Sequence, residues 1–220
     1  MTLTSETARQ MLTSEAYEQR LSAINRLTDL PPDIALELVQ LVLKDTKARV
    51  RYAAISKLAT IGQHDPAQCL EWLRHALRTD SEADVRAAAA DSIGALKLTD
   101  GFDDLKTLYG ETKDWIIQLS ILAALGALGD LRSFDILVEA LDGENDLIIA
   151  IAVGALGELG DRRAIPVLVQ RANHADWQVR YRVAQALGHL GGEDVVNALT
   201  QLSQDEVPQV AEEAKIYLLA

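Results

Sequence analysis

The sequence predicts an all-α repeat solenoid: a right-handed α–α superhelix of about six helix pairs with end caps. Three observations carry that prediction. A sixteen-residue unit, clearest from Asp176 to Gly191 (DWQVRYRVAQALGHLG), recurs from end to end. With Val179 as its anchor, the same register picks out Gln19, Val50, Val85, Ile117, Ile148 and Val210, at successive separations of 31, 35, 32, 31, 31 and 31 residues. Glycine recurs at two fixed places after the anchor. A constant period of this length is the mark of stacked supersecondary units, each burying its apolar face against its neighbours. The unbroken period makes residues 1–220 a single repeat domain.

Taken in order, Ser5 to Leu12 reads as a short helix capped by Thr4 or Ser5, closing the open side of the first repeat. The first full unit starts near Ser14, with Leu21, Ile24, Leu27 and Leu30 at helical spacing. Pro31–Pro32 ends that helix, and the second proline opens the next one, where its missing N–H costs nothing. Ile34, Leu38, Leu41 and Val42 give this second helix its apolar face. Every later unit repeats the two-helix plan. Its second helices carry Leu70, Leu73 and Leu77; Leu105 and Leu108; Ile136, Leu137 and Leu141; Ile165, Leu168 and Val169; Val195, Leu199 and Leu202. Asp65–Pro66 is a cap followed by proline, and Pro166 lies early in its helix. Val207 to Ala220 forms a lone last helix, whose outward Glu212 and Glu213 suit a terminal cap meeting water.

The two sets of glycines have different duties. Gly94, Gly126, Gly157 and Gly188 fall inside the first helix of their units. Glycine there costs about 1 kcal/mol relative to alanine, so its recurrence points to close helix–helix approach. Gly62, Gly129, Gly160 and Gly191 stand three residues further on, where a left-handed residue can bond the last free carbonyls. Asp130 and Asp161, next in line, can cap the second helix of their units. No strand precedes either set, so neither is a phosphate loop.

Composition narrows the function classes. The chain is 49% hydrophobic with a formal charge of −12. A surface so acidic gives a polyanion nothing to hold, which argues against nucleic acid. The N-terminus lacks a basic stretch followed by an apolar run, and no apolar segment reaches spanning length, so the expectation is a cytoplasmic protein with no membrane role. Cys69 is the single cysteine; it sits on an apolar helix and reads as inert core. The four histidines, His64, His75, His174 and His189, are scattered and none precedes a glutamate, which leaves no metal motif and sets the chain apart from di-iron enzymes of similar architecture. No serine–base constellation is visible.

The pattern D-x-x-V-R, a run of small residues and then A-L-G-x-L-G-D resembles HEAT repeats, and more narrowly the HEAT-like repeats of phycobilisome bilin lyases. The resemblance rests on DWQVRYRVAQALGHLGG, on KDWIIQLSILAALGALGD (Lys113 to Asp130) and on IAVGALGELGD (Ile151 to Asp161). It covers essentially the whole chain, weakening in the first unit and the last helix. Length, acidity and the WxxQ-like helix starts at Trp115 and Trp177 are most similar to the cyanobacterial NblB family, relatives of the lyase subunits associated with phycobilisome degradation and bilin detachment. The resemblance implies phycobiliproteins and their bilin chromophores as partners, with a bilin as ligand and no other cofactor. Any activity would be lyase-like detachment, and a homodimer is compatible with the repeats.

In such stacks the helix bearing the V-R pair lines the concave face, which places the candidate residues there. Ile116, Leu119 and Leu147 are apolar where outer units carry charge or amide. With Trp115 and Trp177 they would form an apolar trough, unless these side chains are buried between helices; the residues leave both readings open. Arg20, Arg51, Arg86, Gln118, Ile149, Arg180 and Ala211 form a series one residue after the anchor, whose arginines should bond carboxylates or carbonyls between neighbouring repeats. Arg49 and Arg182 lie outside it. Paired with Tyr52 and Tyr181, they are candidates to hold an acidic ligand such as the propionates of an open-chain tetrapyrrole. His189 and Tyr181 are candidate proton carriers, although His189 also suits a helix end. Three functions therefore stand: an NblB-type protein that binds bilin-bearing phycobiliproteins and promotes detachment, a non-catalytic scaffold, and one subunit of a heterodimeric bilin lyase.

Overall fold

The computed structural model describes residues 3–219. Among them are fourteen α-helices and no strand. Contacts group the chain into two compact units, Met1–Ile121 and Leu122–Ala220, with the boundary in sequence falling inside α8 (Trp115–Leu128). The expected plan of helix pairs runs through both, giving six pairs between a leading and a closing helix.

The first unit opens with α1 (Ser5–Leu12), capped by the Thr4 hydroxyl, which accepts the Thr7 N–H at 3.2 Å. It packs on α2 (Tyr17–Arg26) and α3 (Pro32–Val39), burying Ala8 and Leu12, and Arg9 ties it to Glu37 at 2.5 Å. The next pairs are α4 (Ala48–Ile61) with α5 (Pro66–Thr79), and α6 (Ala83–Ala95) with α7 (Phe102–Glu111). Asp65 caps α5 through the Gln68 N–H, as its Asp–Pro start predicts. The second unit holds the rest of α8, α9 (Phe134–Ala140), α10 (Asp146–Leu159), α11 (Ile165–Gln170), α12 (Trp177–Leu190), α13 (Val196–Leu202) and α14 (Pro208–Leu218).

The anchors Val50, Val85, Ile117, Ile148, Val179 and Val210 are all buried. Gln19, at the same register, is exposed; as an amide with no buried partner it stays in water, and Ala23 and Ile24 seal the first unit instead. Leu41 likewise stands 43% exposed, because α3 ends at Val39 and the chain turns there.

The arginine series is a ladder. Arg20 pairs with Asp45, Arg51 with Asp80, and Arg180 with Asp205, each acid lying in the loop before the next first helix. Each of those aspartates also accepts the N–H two residues on, so one carboxylate shapes the loop and neutralises the guanidinium. Where the series lapses, the acid lapses with it: for Gln118 and Ile149 the equivalent loop positions in the sequence are Gly143 and His174. An arginine buried without its carboxylate would be an uncompensated charge. Arg86 survives by donating to the Leu77 carbonyl at 2.9 Å.

Both glycine roles appear, with one exception. A Cβ on Gly126 would lie 2.7 Å from the Ala155 Cα, and one on Gly157 would lie 2.7 Å from the Ala186 Cα. Gly129, Gly160 and Gly191 have φ of 67°, 72° and 60°. Gly62 is the exception: it is right-handed at φ −75°, and its missing Cβ makes room for Leu96 and the Cys69 sulfur. At the same register after α6, Lys97 takes the left-handed conformation with φ 52°.

Candidate functional site

The face formed by the first helices of the second unit carries an open groove of about 490 Å³. Its helices start where their sequences dictate. Asn145 accepts the Leu147 N–H to open α10, and Asp176 accepts those of Gln178 and Val179 to open α12. The buried stripes of α10 and α12 run through Ile148 and Val179, which leaves Leu147, Gln178 and Arg182 exposed and Ile151 and Tyr181 half-buried, while Ala150 is buried.

Leu147 and Ile151 from α10, Trp177 and Tyr181 from α12 and Ile216 from α14 form the apolar part of the groove. Leu147 is 46% exposed, Trp177 40% and Ile216 59%. Such exposure on three neighbouring helices is a coherent apolar patch rather than scattered residues. Ala150, Gln178, Arg182, Gln209, Glu212 and Glu213 complete the lining. Glu212 and Glu213 therefore border a groove instead of forming only an outer polar end face. An adjoining cavity of about 420 Å³ shares Ala150, Ile151 and Arg182 and reaches Glu158, Gln185 and His189.

A hydrogen-bonded series runs along this lining. Arg182 donates to Gln185 at 2.9 Å, and Gln185 donates to the Tyr181 hydroxyl at 3.2 Å. Glu213 lies beside both Tyr181 and Tyr217 and acts on both phenols. The Tyr217 hydroxyl lies 3.3 Å from His189 Nε2, with the rings edge to face at 5.7 Å. Loss of solvent, reinforced by Glu213, holds both phenols above their ordinary range, so at neutral pH they carry their protons. The lining can thus donate protons and hydrogen bonds, but it offers no activated nucleophile.

Of the residues singled out in the sequence, Leu147, Trp177, Tyr181 and Arg182 come together in this groove. Trp115, Ile116 and Leu119 belong to the part of α8 in the first unit; Trp115 is 51% exposed, and the other two are half-buried. Arg49 and Tyr52 stand exposed on α4, also in the first unit. Ile151, Gln185, Glu213, Ile216 and Tyr217 are additions. Two of them carry a signal in the sequence: Gln185 and Ile216 both stand six residues past their anchors, Val179 and Val210. Cys69 is fully buried, and burial pushes its thiol up to about 11, as befits inert core. No helix among the described residues is long and apolar enough to cross a membrane.

A family model of HEAT repeats matches residues 70–154 and 143–220, together more than half of the chain. The chain belongs to the HEAT repeat family. No curated protein matches the sequence. Among solved structures, this HEAT protein is similar to the complex of CpcE and CpcF of phycocyanin lyase from Nostoc sp. PCC7120, at 20% identity and a TM-score of 0.65, over 99% of this chain and 94% of that one. It is also similar to YibA of E. coli, at 20% identity and a TM-score of 0.67, over 98% of this chain and 81% of that one. An engineered protein gives 21% identity and a TM-score of 0.61, over 97% and 67%. At these identities the likeness is one of fold, and a designed chain within it underlines that HEAT architecture alone does not fix function.

Proposed function

We propose that this HEAT protein binds bilin-bearing phycobiliproteins through the groove of its second unit and promotes release of the chromophore, the NblB-type role that its sequence resemblance implies. The observation that carries the proposal is the exposed apolar patch of Leu147, Trp177 and Ile216 beside the hydrogen-bonding groups of Tyr181 and Arg182. An open-chain tetrapyrrole has a planar conjugated body and two carboxylate tails. Its body suits the Trp177–Ile216 wall. Its tails would be repelled by Glu212 and Glu213 and drawn to Arg182, which sets one orientation across the groove. The fold shared with the phycocyanin lyase complex agrees with this reading.

Detachment from a cysteine reverses a thiol addition. The carbon beside the thioether gives up a proton, a carbon–carbon double bond forms, and the carbon–sulfur pair leaves with sulfur, which takes a proton. No oxidant is consumed. A groove that holds the freed bilin more tightly than the attached one draws this equilibrium toward release. Tyr181 and His189, both along the lining, are the candidate proton carriers. Incubation with purified chromophore-bearing phycocyanin or allophycocyanin should change the visible absorption over time; an unchanged spectrum refutes detachment.

The scaffold reading has one observation in its favour. Glu212 and Glu213 form an acidic edge against an apolar wall, which also suits a basic amphipathic helix. A stable complex on gel filtration with no spectral change would select it.

A further inference from the structure

The spacing from Val50 to Val85 is 35 residues, against 31 or 32 in every other unit. The excess lies in α5, with 14 residues where the other second helices have between 6 and 10. Four added residues are one turn, roughly 6 Å of helix. That helix carries Trp72, eight residues before the ladder acid Asp80. The same position in the other units holds Glu37, Asp104, Asp135, Pro166 and Asn197. An indole therefore replaces a polar residue or proline only where the helix is lengthened.

Trp72 is half-buried and lines a cavity of about 610 Å³ in the first unit, with Leu43 and Ile55 as further apolar wall and Lys44 and His75 exposed at the rim. The bordering carboxylates are already neutralised. Arg51 holds Asp80 through two bonds of 2.7 and 2.8 Å, and Arg20 pairs with Asp45. Lys44 has no acidic partner among the described residues, so this cavity has a positive rim on a chain of charge −12. The equivalent place beside the Arg180–Asp205 rung shows what the ladder alone requires. There, a cavity of about 470 Å³ is lined by Asn173, Gln201 and Gln204 and contains no tryptophan, tyrosine or phenylalanine. The indole is thus not needed to build a rung.

We propose that this cavity is a binding site for a planar organic anion, its ring against Trp72 and its acidic group toward Lys44 and His75. The site lies in the first unit and is separate from the groove of the second. The probe is 1-anilinonaphthalene-8-sulfonate, titrated by fluorescence into the full chain and into Trp72→Ala, Lys44→Glu and Trp177→Ala. A saturable component is expected that weakens about tenfold in Trp72→Ala and about fivefold in Lys44→Glu and is unchanged in Trp177→Ala. Lys44 is exposed, so its substitution keeps the test decisive even if Trp72→Ala fails to fold. Absence of saturable binding, unchanged affinity in the Trp72 and Lys44 variants, or loss only with Trp177→Ala would overturn the proposal.

Discussion

Removing the carboxylate of Asp205 is the sharpest perturbation of the ladder. Arg180 is 9% exposed and makes four bonds: to the two Asp205 oxygens at 2.6 and 2.9 Å, and to the carbonyls of His174 and Ala175 at 2.9 and 3.0 Å. Asp205→Ala keeps the guanidinium buried, with two neutral acceptors and no counter-charge. It also removes the acceptor for the Val207 N–H at 2.8 Å, which shapes the start of α14. Breaking a buried pair from one side costs about 3 kcal/mol, a factor of roughly 100 in an equilibrium constant. Because terminal repeats open locally, the loss should appear first as faster amide exchange in α14, by roughly that factor. The double variant Arg180→Met, Asp205→Leu should recover most of it, since no charge is then stranded. An increase in α14 exchange of less than about threefold for Asp205→Ala would refute the ladder as a structural tie. The pair also sets a pH dependence. The Arg180 bond holds the Asp205 carboxyl below the ordinary carboxylate range, as Arg51 does for Asp80. The folded state therefore binds fewer protons there than the unfolded chain. This stability is fully present above the unfolded value, near about pH 4, and is lost as pH falls through the lower folded value.

Two further substitutions test the packing. Lys97→Gly relieves a left-handed backbone at φ 52° and should raise stability by about 1 kcal/mol, read as a higher urea midpoint with unchanged slope. Gly157→Ala would place a Cβ 2.7 Å from the Ala186 Cα, so α10 and α12 must part; a loss of about 2 kcal/mol is expected, and a neutral result would contradict the close approach.

The repeat plan was legible because buried anchors recur at a fixed separation, and burial at one register forces the same face inward in every unit. Arg180 and Gly157 were legible for the same reason: each repeats, and each has one physical job. Gln19 shows the limit, since register placed it at the anchor while its amide kept it in water. Gly62 shows another, because a glycine at a helix end can serve positive φ or close packing, and only the neighbouring Leu96 and Cys69 distinguish them. The groove was half legible. Leu147, Trp177, Tyr181 and Arg182 share the solvent-facing register of α10 and α12; Glu213 and Ile216 hold the same register on α14, but that α14 sets them and Tyr217 beside α12 follows from packing that no local pattern encodes. Trp72 was not legible as a site residue, because it lies on a second helix, outside the solvent-facing register that the first helices repeat.

Comparison of the wild type with Trp177→Ala in the presence of chromophore-bearing phycocyanin tests the central claim most directly, with gel filtration and visible absorption read on the same samples. Trp177 is 40% exposed, so its loss should cost about 2 kcal/mol, and a cooperative melting transition shows that the variant is folded. The account predicts a complex and a spectral change with the wild type, and the loss of both in the folded variant. Equal complex formation and equal spectral change in the two proteins would contradict the assignment of the second-unit groove.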